Sequence, residues 1–459
     1  MTPNIAFILT LVFIILVFKI DFNRKSNVSY ALWIPLIWMM NSATRPMSFW
    51  FSTAPSTTSK ERIYMEGNPF DRTILSILII FSIYILLKRN IEWRSIFKKN
   101  VMIFLWFLFC GISILWSDFA MVSFRRWVKI TGLLLSVLIV HTETEPIEAV
   151  KIIMKRFAYF LIPISILIII YFPKIGIEYY TDTEAVNYKG VTYDKNQLAQ
   201  ICAISIIFFI YNIITMRRIK KTPNDKKEIL IQVLFLILTI YLFSILDSAT
   251  SLGALFISII IFIALGFKVL KKYIKHFEIF IFAALIIGFI LQDSFNIIGM
   301  FAASQGRNLT FTDRTFIWKS LLSFNINPMI GVGYGSFWLG NRLLTLWGML
   351  GYEPSQSHNG YLNVYLELGV VGLCLLIGVI YFTFLNIKKS SLFDDFDYVR
   401  FRMAIFVFAL IHNIMESSFG MNTLIWFVFL LIAVDIPHKS QLYNNRKFTT
   451  LASSSHGGR

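Results

Sequence analysis

Two side chains of this sequence stand where polar chemistry meets an apolar segment. His358 lies in Ser357-His358-Asn359-Gly360-Tyr361-Leu362-Asn363, where a polar stretch runs into an apolar one. An imidazole at such a mouth titrates near neutral pH and can take a proton from a hydroxyl as a general base. The alternative is a histidine that merely caps the helix it precedes. Upstream, Arg314 lies in Thr312-Asp313-Arg314-Thr315-Phe316-Ile317-Trp318-Lys319. If Arg314 opens a helix, Trp318 falls on the same face four residues later. A guanidinium beside an aromatic ring is a ready fork for an anion, although a plain surface arginine shows the same spacing.

Other polar groups cluster around apolar runs. Asn359, Asn363 and Glu367 follow His358 at steps of four and mark one polar face on an otherwise apolar helix, which in a bilayer must look into a bundle or a wet cavity. His412 and Glu416 repeat that spacing, with helix–helix hydrogen bonding as the alternative to function. Arg125, Arg126 and Lys195 are cations at predicted helix ends, where either an anionic ligand or snorkelling would account for them. Gly331, Gly333 and Gly335 lack a preceding strand, so they read as a tight turn whose N–H groups could also meet a phosphate. No His, Cys or Asp spacing suggests a metal site. Cys110, Cys202 and Cys374 sit singly in apolar runs, which points to packing rather than redox chemistry.

These residues must be positioned by membrane helices. Of 459 residues, 56% are apolar and only 15% are charged, 45 are Phe, and the mean hydropathy is +0.67. An ordinary soluble domain carries about 25% charged residues. The composition excludes a disordered chain, a disulfide scaffold and a typical soluble enzyme, and leaves an all-α polytopic membrane protein. Thirteen apolar runs are expected to span, approximately Ile5–Lys19, Tyr30–Met40, Ile74–Leu87, Val101–Leu115, Val128–Val140, Phe157–Phe172, Leu198–Thr215, Ile229–Leu246, Ser251–Phe267, Phe277–Leu291, Tyr361–Leu385, Ala404–Ser417 and Leu424–Val434, or twelve if one is too short.

The net charge of +17 has a topological reading. Alternate connections hold 29 of the 43 Lys and Arg residues, so the positive-inside rule puts the N-terminus outside and the C-terminus in the cytoplasm. Nucleic acid is not needed to explain the charge. The lack of Lys or Arg before the first run argues against a cleaved leader. The expected organisation is an N-terminal transmembrane bundle (1–291), a large periplasmic loop with the motifs (292–358), C-terminal transmembrane helices (359–438) and a cytoplasmic tail (439–459).

Together the motifs resemble the O-antigen ligase and Wzy-type polymerase superfamily, most of all its exopolysaccharide-polymerisation branch. The most specific parts are Asp313-Arg314-Thr315-Phe316-Ile317-Trp318, the Asn327-Pro328-x-x-Gly331-x-Gly333 run, and Ser357-His358-Asn359-Gly360-Tyr361-Leu362 continuing to Glu367-Leu368-Gly369. Glu66 to Arg72, Leu115-Trp116-Ser117, Ser123-Phe124-Arg125-Arg126, Lys195-Asn196-Gln197 and Asn413-x-x-Glu416 support them. The resemblance implies a GT-C-like glycosyltransferase of the bacterial inner membrane that needs no metal, nucleotide or other cofactor. Its donor would be an undecaprenyl-diphosphate-linked glycan and its acceptor a glycan or lipid A core, with a chain-length regulator as a candidate partner. It implies that Arg314 binds the donor diphosphate and that His358 activates the acceptor, with Lys195, Arg125, Arg126, Trp318, Asn359, Asn363 and Glu416 as substrate-binding candidates. Two positions depart from the pattern: Asp313 stands where glycine is common, and Ala249 where many members carry a cation. The second phosphate-binding cation would then fall to Lys195, Arg125 or Arg126. Aromatic residues including Trp318, Trp338, Trp347 and Tyr361 are candidates to stack on sugars. A lipid-linked glycan flippase or exporter is the competing class, against which stands the lack of a two-fold repeat.

Overall fold

A computed structural model describes residues 1–22, 27–51, 68–179, 186–218, 223–267, 314–390 and 395–435. Among the described residues the longer helices are α1 (Pro3–Phe22), α2 (Trp33–Ala43), α3 (Pro69–Lys88), α4 (Val101–Ile112), α5 (Ala120–His141), α6 (Pro146–Tyr171), α7 (Lys195–Arg218), α8 (Pro223–Ser244), α9 (Ala249–Ala264), α10 (Arg314–Leu322), α11 (Gly340–Leu350), α12 (Gly360–Ser390), α13 (Phe396–Met415) and α14 (Leu424–Ala433). One small antiparallel hairpin pairs Ile177–Tyr179 with Val186–Tyr188. The chain is an all-α polytopic membrane protein. Seven described helices are long and apolar enough to cross a bilayer, and an eighth arises if Trp93–Lys99 and Val101–Trp116, bent by 88°, count together. Twelve of the thirteen apolar runs fall on helices; Phe277–Leu291 lies outside the described residues, as do Gln292 to Asp313, the Glu66-Gly67 pair and the tail.

Several helices reach beyond their apolar runs. Pro and Asn punctuate the starts: Asn68 caps α3 through Phe70 N–H at 2.8 Å, and Pro69 occupies the first turn, where its missing donor costs nothing. α5 begins eight residues before Val128 and so takes in Arg125 and Arg126. α6, α7 and α13 are buried in the bundle, while α1 and α3 present large apolar side chains outward, as lipid-facing helices do.

The end of the bundle remote from His358 is fastened by ion pairs. Lys155 Nζ lies 2.5 Å from Asp21 Oδ1 and 3.0 Å from Glu228 Oε1, and Arg156 Nε lies 2.7 Å from Asp21 Oδ2. Two cations meet two carboxylates, so this buried set needs no outside counter-ion, and it joins α1, α6 and α8. Asp397 likewise pairs with Arg218 at 2.5 Å and Arg400 at 2.8 Å, joining α7 and α13. Some of the basic residues that set the charge asymmetry are therefore internal fasteners as well.

α12 is two helices end to end. Gly369 has φ 64° and ψ −163°, a region essentially closed to side chains. The break frees carbonyls and N–H groups that an unbroken helix would pair internally. Val332 N–H donates to Leu366 O at 3.3 Å and Gly333 N–H to Glu367 O at 2.9 Å. In the other direction, Val370 N–H donates to Pro328 O at 2.9 Å and Val371 N–H to Met329 O at 3.0 Å. A Cβ on Gly369 would lie 2.3 Å from the Met329 carbonyl, and one on Gly331 would lie 2.4 Å from that of Glu367. The Asn327–Gly335 segment is thus laced into the break. The loop helices α10 and α11 have an apolar cluster of their own, Ile317, Leu321, Phe337, Trp338 and Leu343, resting on Leu366 of α12.

Candidate active site

The site forms where the turn after α13 meets the turn before α12. Asn413 accepts from Ser418 and Phe419 N–H, both at 2.9 Å, and folds the chain back once α13 has ended at Glu416. Ser417 Oγ accepts from Asn359 N–H at 3.1 Å and pairs with Ser357 Oγ at 3.0 Å. Gly360 permits the approach, since a Cβ there would meet Asn413 Oδ1 at 2.2 Å. Between Ser357 and Asn359 stands His358 with φ 50°, in the left-handed region that few side chains adopt and that the flanking bonds hold here.

Glu416 is the hub of this junction. It is 4% exposed. Oε1 accepts from Arg314 Nη2 at 3.1 Å and Asn196 Nδ2 at 3.0 Å. Oε2 lies 3.2 Å from His358 Nδ1 and accepts from Gln356 Nε2 at 3.4 Å. Burial alone would raise the Glu416 carboxyl, but the hydrogen bond and charge of His358, with Arg314, outweigh it and hold the group below the ordinary carboxylate range. An ionised Glu416 facing Nδ1 selects the tautomer with its proton there, and Nε2 then carries the lone pair. The His358 side chain is 29% exposed, the most open of the three.

Two helix starts complete the surroundings. Trp318, one turn after Arg314 on α10, donates from Nε1 to Ser357 O at 2.8 Å and ties the arginine's helix to the histidine's turn. At the start of α7, Asn196 accepts from Ser248 Oγ at 3.0 Å, and Lys195 Nζ lies 3.6 Å from Asp247 Oδ2. Asp194 caps α7 through Gln197 N–H at 2.9 Å. Burial, with the Glu416 charge adding to it, raises its pKa to about 6. His412, one turn before Glu416, is fully buried with Nε2 3.3 Å from Ser251 Oγ.

The sequence-derived candidates divide into three groups. Arg314, His358, Glu416 and Trp318 converge, and Lys195 adjoins them beside Asn196. Asn359 lies at the junction as the cap of α12, its Oδ1 accepting from Tyr361 and Leu362 N–H at 3.0 Å each. Arg126 and Asn363 belong to the loop clamp: Arg126 donates to the Gly335 carbonyl, while Asn363 accepts from Trp338 Nε1 at 2.7 Å and donates to Glu367 at 3.3 Å. Glu367 in turn accepts from Gly335 N–H at 2.9 Å. Arg125, the remaining cation, is exposed on α5. Trp338, considered above for sugar stacking, is instead a core residue at 4% exposure. Asn196 and Gln356, which the sequence reading did not select, each bond Glu416; Asn196 was within reach through its place in the Lys195-Asn196-Gln197 motif. Among the described residues no three His, Cys, Asp or Glu side chains gather as a metal ion would require.

Fold and site thus define a polytopic helical membrane protein with an Arg–Glu–His cluster at one end of its bundle. The resemblance read from its motifs is borne out: residues 233–377 match the O-antigen ligase family model (Wzy_C). That stretch includes Arg314 and His358 and ends before Glu416. The exopolysaccharide production protein ExoQ of Rhizobium meliloti (strain 1021) is 30% identical over 99 residues, 20% of this chain and 22% of that protein. The match therefore spans about a fifth of the length of this curated relative.

Proposed function

We propose that the protein is a membrane glycosyltransferase of surface polysaccharide assembly, acting on an undecaprenyl-diphosphate-linked glycan at the periplasmic face of the bacterial inner membrane. The observation that carries this reading is the placement of Arg314 and His358 on one buried carboxylate, 3.1 and 3.2 Å away. The chemistry follows from the residues. An acceptor hydroxyl gives its proton to His358 Nε2 as its oxygen bonds the donor's anomeric carbon, and the bond from that carbon to the diphosphate breaks. The leaving diphosphate gathers negative charge, which the Arg314 fork neutralises by paired hydrogen bonds. Lys195, next to Asn196 at the start of α7, is a further candidate cation for the same group. Asn359 and Asn363 serve as positioning residues, since the amide of one caps α12 and that of the other holds the loop clamp. Chain polymerisation accords with the relative's description as an exopolysaccharide production protein, and ligation to an acceptor such as lipid A core with the matching family's description as O-antigen ligase.

The test is transfer by the purified full chain in liposomes, using a lipid-diphosphate glycan and His358→Ala beside the parent. New glycosidic bonds are expected from the parent, with a drop of roughly 10²- to 10⁴-fold in the variant, as removal of a general base predicts. Lipid scrambling without bond formation would instead establish a flippase. Parental rates from a folded His358→Ala protein would remove the base from the mechanism.

A further inference from the structure

We propose that Glu416 couples donor binding to acceptor activation by giving up one partner and keeping the other; the inference rests on the transferase reading above. The carboxylate is held in place by groups that no substrate needs to move. Asn196 Nδ2 binds Oε1 at 3.0 Å from the start of α7, and Gln356 Nε2 binds Oε2 at 3.4 Å. Its own backbone N–H is bonded to His412 O at 3.0 Å at the end of α13. Arg314 stands on the loop helix α10 and reaches Oε1 from outside the bundle.

Glu416 holds Nη2 of the guanidinium at 3.1 Å, so a two-pronged grip on a diphosphate that uses Nη2 competes with Glu416 for that nitrogen. In the proposed sequence the donor takes Nη2 and draws the guanidinium from Glu416 to the phosphate oxygens. Glu416 stays behind with its charge no longer shared with Arg314. That charge then acts on His358 Nδ1–H, where it fixes the ring and offsets the positive charge the ring takes on when Nε2 receives the hydroxyl proton. Other charged or titratable groups near the cluster, Asp194 before α7 and His412 on α13, remain where they are. Glu416 already meets His358 Nδ1 at 3.2 Å, and a seated donor leaves more of the carboxylate charge to that one partner, which strengthens the base when the donor is in place. Glu416 is in this scheme a positioning residue.

The experiment reads binding and turnover separately. Farnesyl diphosphate, which carries the diphosphate and a prenyl chain but no glycan, is titrated into the detergent-solubilised full chain, and turnover is measured with saturating glycan donor. Glu416→Gln keeps an oxygen for Asn196 but removes the charge that attracts Arg314, so farnesyl diphosphate should bind about fivefold tighter, the scale of one lost ion pair. Turnover should fall at least about tenfold, because His358 loses its counter-charge. A merely structural Glu416 would weaken both. In an Arg314→Ala background, Glu416→Gln should leave the affinity unchanged. Equal or weaker binding by a folded Glu416→Gln protein overturns the proposal. Glu416→Asp, which keeps the charge but shortens the reach, should show the same split and serves if Glu416→Gln does not fold. Failure of the parent itself to bind farnesyl diphosphate would overturn the transferase reading, a result distinct from binding without tightening.

Discussion

Replacing Gly369 with alanine tests whether the loop that carries the site is held by the break in α12. The backbone at Gly369 has φ 64° and ψ −163°, and an added methyl would stand 2.3 Å from Met329 C and O and 2.4 Å from Ile330 N. These are backbone atoms, so no side-chain rotation relieves the contact. Holding alanine in this conformation costs about 1–3 kcal/mol. Moving the loop away instead weakens the four backbone hydrogen bonds across the break, at about 1 kcal/mol net for each one lost. The first route thus costs about 1–3 kcal/mol and the second up to about 4 kcal/mol, either one a sizeable share of the ~5–15 kcal/mol by which folded domains exceed their unfolded states. The assay is thermal unfolding in detergent together with limited proteolysis of residues 323–357 and glycan transfer. Gly369→Ala should lower the midpoint, expose the loop to protease and depress transfer. Gly348→Ala is the matched control: it lies on α11, where an added Cβ meets nothing within 4 Å. There the same methyl should stabilise by up to about 1 kcal/mol through helix propensity. If the two variants behaved alike, the clamp would not be what holds the loop.

Two further outcomes follow from the site. Arg314→Lys keeps the charge but loses the planar fork, so transfer should fall at least about tenfold without a change in unfolding temperature, and an unimpaired variant would remove the diphosphate role. Asp194, with its pKa raised from 3.8 to about 6, binds more protons folded than unfolded between those values, so its contribution to stability declines as pH rises through that window. Asp194→Asn keeps the acceptor for Gln197 N–H and should unfold at higher temperature than the parent above pH 6, the difference closing below pH 4; a pH-independent gap would refute the argument.

Apolar runs announced most of the helices because a bilayer imposes length and composition together. They understated α5, whose first two turns hold Arg125 and Arg126, since charge at a helix end interrupts hydropathy without interrupting the backbone. His358 and Arg314 were legible as polar residues beside apolar segments. Their common partner was not: Glu416 lies 58 residues from His358 and 102 from Arg314, and only packing of the two turns brings it to both. The glycine motif read as a turn, and it is one, but its purpose needed the partner break at Gly369. Asn363 looked like part of a polar stripe open to a ligand, and the depth at which the loop covers it could not be read from helical spacing.

The cluster's charge arrangement bears on how an enzyme of this kind would let its product go. Arg314 is paired with Glu416 at 3.1 Å, and Lys195, next to Asn196, with Asp247 at 3.6 Å. Buried bare cations would be costly, and pairing with a carboxylate offsets that cost. A monoanion that displaced Glu416 from Arg314 would exchange one negative partner for another and gain little. A diphosphate brings more charge and more acceptor oxygens to the same fork and can outcompete the carboxylate. The competition also tempers affinity, and it applies equally to the diphosphate left after transfer. Tight binding shared by substrate and product would slow turnover without speeding the chemical step. Under the proposed function, a carboxylate fixed within reach of Arg314 would reclaim the guanidinium as the product leaves, so the ion pair that opposes donor binding would also return the site to its starting state.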